Sequence, residues 1–91
     1  MPEYLLEIYI GATDARAAAD QGVSARAAAA EMTRRGTPVR YRRSIYVPDD
    51  ETCFFLFEAE SAAAVCSTAQ LAALPCDRIS VAFTDPWARE E

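Results

Sequence analysis

The chain has 91 residues, of which 52% are hydrophobic and 25% are charged. This length and composition are typical of one globular domain with a modest core, and they argue against a disordered chain. The formal net charge of −5 argues against nucleic acid or an anionic membrane surface as the main partner.

The first strand is predicted from Tyr4 to Ile10, where Gly11 ends it. Alternate residues of a strand point to opposite faces, so this one has an apolar face and a mixed face. The mixed face carries Leu5, Glu7 and Tyr9. No basic region with a long apolar core precedes the strand, and no apolar run approaches the ~20 residues of a membrane span. We therefore expect a cytoplasmic protein without a signal peptide.

The second predicted element is an alanine-rich helix from Asp14 to Arg35. Thr13 or Asp14 caps its first turn, and Gly36 ends it. Gly22 costs roughly 1 kcal/mol relative to alanine in a helix interior. It marks a kink, a close contact, or a break between two helices.

A β-hairpin is predicted around a turn at residues 48–51, because β-branched and aromatic residues lie densely on both sides of it. One face then carries Tyr41, Arg43, Ile45, Phe54, Leu56 and Glu58. The other face carries Arg42, Ser44, Tyr46, Cys53, Phe55 and Phe57. A loop of another length would reverse one strand relative to the other. The arginines of the first half indicate a solvated edge strand or a site for a small anion.

The last predicted elements are a helix over Ala62–Ala73, capped by Ser61, and a strand over Asp77–Thr84. We expect one domain over residues 3–84, followed by a short acidic tail over residues 85–91. The three cysteines, Cys53, Cys66 and Cys76, are odd in number and form no CxxC pair. This pattern predicts buried thiols in a reducing cytoplasm.

The order β-α-β-β-α-β predicts an α+β, ferredoxin-like fold with a four-stranded antiparallel sheet. Strands one and three are central, and both helices cover one face. The other face is left open, with apolar side chains from three strands. Such an apolar area on a small protein is typical of an interface or a ligand site. We therefore expect a homodimer that forms through the sheet face.

Three segments carry a resemblance to a known family: PEYLLEIYIGAT, GTPVRYRRSIYVPDDETCFFLFEAESAAAV and LPCDRISVAF. The chain resembles the small bacterial domain-of-unknown-function family 4242, over about residues 3–84. The best-described type of that family is a nickel-binding protein with a ferredoxin-like fold that forms dimers. In that type, histidines on the sheet bind the metal.

The histidine ligands of the resembled type are missing here. The aligned positions hold Tyr9 and Arg43, and the chain contains no histidine. Neutral imidazole is the usual nitrogen ligand of Ni²⁺, and a guanidinium cation repels it. Cys53 is on a predicted strand and Cys66 on a predicted helix, so we do not expect the cysteines to converge on a metal. We predict no metal and no cofactor.

Glu7, Arg43 and Glu58 are the candidate catalytic residues of the open face. Two carboxylates in a partly dry cleft resist double ionisation, and a guanidinium can bind an anionic oxygen. The same three residues could instead form structural ion pairs. The candidate ligand-binding residues around them are Leu5, Tyr9, Tyr41, Ile45, Phe54 and Leu56.

Two functions fit this pattern. The first is a small dimeric module that binds a small apolar or anionic ligand in a cleft on the open sheet face. The second is a cofactor-independent enzyme: a cyclase, isomerase or monooxygenase that acts on an aromatic or polyketide-like substrate. They differ in whether Glu7, Arg43 and Glu58 line a closed pocket or are covered by a partner subunit.

Overall fold

A computed structural model describes residues 1–85 of the chain. Its elements are β1 (Glu3–Tyr9), α1 (Ala15–Arg34), β2 (Val39–Val47), a 3-10 turn (Pro48–Asp50), β3 (Thr52–Ala59), α2 (Ala62–Leu71) and β4 (Ile79–Ala82). The strands form one antiparallel sheet in the order β2-β3-β1-β4. This confirms the predicted ferredoxin-like fold, with β1 and β3 in the centre. The predicted acidic tail lies outside the described residues, except for Asp85.

The core lies between the two helices and one face of the sheet. The residues of β3 that point to this face have no measurable solvent exposure: they are Cys53, Phe55, Phe57 and Ala59. Tyr4, Leu6 and Ile8 of β1 join them and are also buried. The intervening residues point to the opposite face, which we call the open face.

Helix α1 is continuous and packs closely on β2. Of the two predicted caps, Asp14 is used: its carboxylate accepts a hydrogen bond from the Ala17 amide at 3.1 Å. The helix ends before Gly36, whose φ of 101° suits glycine. A Cβ placed on Gly22 would lie 3.2 Å from the hydroxyl oxygen of Tyr41. Gly22 therefore marks a close contact between helix and strand rather than a break.

The β2–β3 hairpin follows the predicted register from the turn as far as Arg43. The pairs are Val47 with Thr52, Ile45 with Phe54, and Arg43 with Leu56. The register then shifts between Tyr41 and Arg43, so that Arg42 is the extra residue of a β-bulge.

The bulge makes the predicted faces of Tyr41 and Arg42 wrong. Tyr41 pairs with Phe57 instead of Glu58 and lies on the helix side of the sheet. Arg42 reaches Glu58 on the open face. Simple alternation cannot place these two side chains, because the extra residue reverses it beyond the bulge.

The second half of the chain has shorter elements than predicted. Helix α2 ends at Leu71, and Ala73 adopts a φ of 60° outside the helical region. Ser61 caps this helix as predicted, accepting a hydrogen bond from the Ala64 amide at 3.1 Å. Strand β4 covers only Ile79–Ala82. Neither helix in residues 1–85 has the length and apolar character needed to cross a bilayer.

The prediction of three buried thiols is wrong for two of the cysteines. Cys66 of α2 forms a disulfide with Cys76 of the loop that follows. This loop turns back onto the helix, where the Leu74 amide donates a hydrogen bond to the Ala69 carbonyl at 2.8 Å. Cys53 is a buried free thiol on the helix side of β3, and burial raises its pKa. The spacing of the cysteines in sequence does not reveal the fold-back.

Candidate functional site

The open face consists of rows of side chains that cross the sheet from β2 to β4. The charged row contains Arg40, Glu58, Glu3 and Ala82. The central row contains Arg43, Leu56, Leu5 and Ser80. The third row contains Ile45, Phe54 and Glu7. Neighbouring members of a row are close enough to interact directly.

Glu58 is the centre of an ion-pair cluster in the charged row. Arg42 Nη1 donates a hydrogen bond to Glu58 Oε2 at 2.9 Å, and Arg40 Nε lies 3.9 Å from Oε1. The bulge is what allows this arrangement, because consecutive residues of a regular strand would point to opposite faces. It brings Arg42 and Arg43 to the same face. Arg40 and Arg42 therefore pair with one carboxylate, and Arg43 lies on the same face opposite Leu56.

The predicted pair of carboxylates, Glu7 and Glu58, shares a face but is not a neighbouring pair. Glu7 pairs with Phe54, four residues before Glu58 on β3, which corresponds to roughly 13 Å along the strand. The Nε atom of Arg78 lies 3.7 Å from the Glu7 carboxylate. The residue directly opposite Glu58 is Glu3. The structure therefore does not join Glu7 and Glu58 in one acid–base site.

A cleft of about 570 Å³ lies over the charged row. This volume is within the range of sites for small organic molecules. The cleft is lined by the two ends of the described chain and by parts of β2 and β3: Met1, Pro2, Glu3, Arg42, Arg43, Leu56, Glu58, Val81, Ala82, Phe83, Thr84 and Asp85. Arg43, Leu56 and Glu58 are the predicted site residues that line it.

Four other predicted ligand-binding residues lie on the open face outside the cleft: Leu5, Tyr9, Ile45 and Phe54. The hydroxyl of Tyr9 donates a hydrogen bond to Glu51 at 3.3 Å. Tyr41 is on the helix side of the sheet. Its ring centroid lies 5.7 Å from that of Phe57 in a T-shaped arrangement, and 4.8 Å from the guanidinium carbon of Arg26. Tyr41 is therefore a packing residue of the α1–β2 contact.

Sequence reasoning missed Glu3 and Arg42 as lining residues. Glu3 could have been found from an antiparallel β1–β3 register, which sets it opposite Glu58. Arg42 gave no comparable signal, since the bulge that turns it has no glycine or proline in its sequence.

In the part of the chain that the structure describes, the side chains that could bind a metal do not come together. Within residues 1–85, no three or more His, Cys, Asp or Glu side chains form a group suited to a metal ion. Tyr9 and Arg43 lie opposite Thr52 and Leu56, which are four residues or roughly 13 Å apart on β3. A phenol and a guanidinium are also not the nitrogen ligands that nickel prefers. These residues do not fit a nickel ion.

Comparison with protein-family models gave a match to the family described as nickel responsive protein SCO4226-like, over residues 7–81. No curated protein and no solved structure gave a significant match. The matched residues run from β1 into β4 and include both helices. They make up most of the sequence, in agreement with the resemblance seen in its motifs. The chain belongs to the nickel responsive protein SCO4226-like family.

Proposed function

We propose that the chain is a small binding module that holds a small organic molecule in the cleft over the charged row, without nickel. The cleft itself carries this proposal. It places two guanidinium groups, from Arg42 and Arg43, next to the apolar side chain of Leu56. A concave site with apolar walls and a few convergent polar groups is the usual form of a small-molecule site.

The donor set argues against nickel as the ligand of this member of the family. The family name refers to a response to nickel. This chain has no histidine, and Tyr9 and Arg43 stand at the positions that the resemblance aligns with the ligands. Titration with Ni²⁺ in a calorimeter should therefore show no stoichiometric binding. Tight binding with a one-to-one endpoint would contradict this part of the proposal.

We also propose a homodimer that forms through the apolar part of the open face. Ile45 of the third row is 51% exposed, and Tyr9, on β1 at the same end of the open face, is 71% exposed. Exposed apolar groups of this kind are typical of an interface. The variant Ile45→Glu should sediment as a monomer, whereas Val23→Glu, on the surface of α1, should leave the sedimentation unchanged. Equal sedimentation of both variants and the parent chain would remove the dimer from the proposal.

The enzyme hypothesis has less support, because its two carboxylates are roughly 13 Å apart along β3. Both oxygens of Glu58 face arginine nitrogens, at 2.9 Å and 3.9 Å. The Glu58 carboxylate is therefore already engaged with protein groups rather than left open to a substrate. The binding module is therefore the function that the geometry supports best.

The proposal can be tested with ¹⁵N-labelled protein and a set of neutral, anionic and cationic aromatic fragments. Fragments that bind should shift the amide signals of Arg43, Leu56 and Glu58, and leave those of α1 in place. The variant Ala82→Phe should fill the cleft and abolish these shifts. Ser80→Phe places the same ring on the same face, outside the cleft, and should preserve them. If no fragment of any charge shifts the cleft amides, the proposed function is wrong.

A further inference from the structure

We propose that the cleft takes a flat aromatic carboxylate with a hydrogen-bond donor, such as a hydroxyl group, at its opposite end. The carboxylate would bind Arg43, and the donor would face Glu3 and Asp85. This inference rests on the proposed function and adds the charge, shape and orientation of the ligand.

Arg43 is the cation that is available to a ligand. It is exposed, it lines the cleft, and among the residues that the structure describes it has no acidic partner within ion-pair distance. Arg42 differs, because its guanidinium already donates to Glu58 at 2.9 Å. A guanidinium offers two parallel N–H donors that match the two oxygens of a carboxylate. Arg43 can therefore anchor a carboxylate without breaking an existing ion pair.

The cleft has opposite charges at its two sides. On the β2 side, the charges of Arg40, Arg42 and Arg43 exceed the single charge of Glu58. Positive excess near a partly enclosed site attracts an anion. This side of the cleft therefore selects the anionic end of a ligand.

The far side of the cleft is acidic. Glu3 and Asp85 line it, and the Glu3 carboxylate accepts a hydrogen bond from the Thr84 hydroxyl. Carboxylates repel the anionic end of a ligand and accept hydrogen bonds from a donor at its other end. The two sides together therefore favour one orientation of the ligand.

The spacing and the apolar walls define the body of the ligand. Glu3 is on β1 and Arg43 on β2, and two strand spacings separate these strands, or roughly 10 Å. Leu56 forms the apolar floor between them, and Phe83, which follows β4, lines the cleft and is exposed. Two fused aromatic rings with polar groups at opposite ends match this distance and these walls.

The test uses three probes of equal ring size: hydroxynaphthoate with its groups at opposite ends, naphthoate, and dihydroxynaphthalene. Calorimetric titration should give the tightest binding for hydroxynaphthoate. Arg43→Gln should weaken it at least tenfold, because a charge-assisted pair is lost. Arg16→Gln removes the same charge from the exposed surface of α1, on the other side of the sheet from the cleft, and should weaken binding less than about threefold, as a distant screened charge does.

Each alternative outcome has a separate meaning. If dihydroxynaphthalene binds as tightly as the acid, or if the two arginine variants weaken binding equally, the anionic ligand is refuted while the cleft stays a binding site. If naphthoate equals hydroxynaphthoate, the donor and the orientation are refuted. If none of the probes, and no cationic or neutral fragment, shifts the cleft amides, the proposed function fails together with this inference.

Discussion

Replacing Gly22 with alanine tests the position of Tyr41 and, through it, the bulge. Alanine at an interior helix position stabilises by roughly 1 kcal/mol relative to glycine. The new Cβ would lie 3.2 Å from the Tyr41 hydroxyl oxygen, which is tighter than an ordinary van der Waals contact. The tyrosine ring cannot withdraw freely, because Phe57 and Arg26 pack against it. We expect Gly22→Ala in the parent chain to be neutral or destabilising.

In a Tyr41→Phe background the clashing hydroxyl is gone, so Gly22→Ala should show the full advantage of alanine over glycine in a helix interior. There, Gly22→Ala should stabilise by about 1 kcal/mol, or raise Tm by about 4–8 °C for a domain of this size. Urea denaturation of the four variants measures the coupling between the two positions. If Tyr41 instead faced the open side, as regular alternation predicts, alanine would stabilise both backgrounds equally. That result would refute the bulge.

Three further predictions concern the helix caps, the cysteines and the acid limit of stability. Asp14→Ala and Ser61→Ala should each cost about 1 kcal/mol in urea denaturation, because each removes a side-chain acceptor for a first-turn amide; an unchanged midpoint for either would contradict its cap. A thiol reagent should find no reactive thiol in the native chain, one after unfolding and three after unfolding with reductant, since Cys53 is buried with a raised pKa and the other two are paired. Hydrogen bonds from Arg34, and then from Arg35, hold the pKa of Glu31 below its ordinary value. The contribution of Glu31 to the free energy of unfolding should be present above the ordinary carboxyl pKa and lost as the pH falls through the lowered pKa. Glu31→Gln should therefore make the free energy of unfolding depend less steeply on pH in the acid range.

The fold could be predicted because several local signals agree. Alternation in the strands, the alanine-rich helices and the caps at Asp14 and Ser61 all point to one topology, and that topology fixes the strand order. Placing the turn at residues 48–51 also predicts the observed hairpin register for the strand residues next to the turn.

The site was harder to predict, because it depends on one inserted residue and on which strand positions lie opposite each other. Because of the bulge at Arg42, the Tyr41 side chain lies on the helix side of the sheet and the Arg42 side chain lies on the open face. The β1–β3 register set Glu3 opposite Glu58 and moved Glu7 away from it. Both are tertiary facts about strand pairing, and residue types alone give little information about them.

Deleting Arg42 should therefore leave a folded chain, although it removes a residue from the middle of a strand. Tyr41 pairs with Phe57 and Arg43 with Leu56, so the deletion joins two residues whose partners are already consecutive. The loss of an exposed ion pair costs at most about 1 kcal/mol, and a regular ladder can regain a hydrogen bond of similar size. Urea denaturation should show cooperative unfolding, with a free energy of unfolding within about 1 kcal/mol of that of the parent chain.

Deleting Ser44 is the matched control for this prediction. Ser44 pairs with Phe55 in the regular part of the ladder. Its loss draws Arg43 into the Ser44 position on the helix side of the sheet, and the bulge residue Arg42 takes the place of Arg43. A Cβ on Gly22 of α1 would lie 3.6 Å from the Ser44 hydroxyl oxygen, so the longer arginine side chain meets the helix there, and this variant should unfold at lower urea than the Arg42 deletion. An equal loss of stability from both deletions would show that Arg42 is an ordinary paired residue of β2. The bulge would then not explain why Arg42 and Arg43 share the open face.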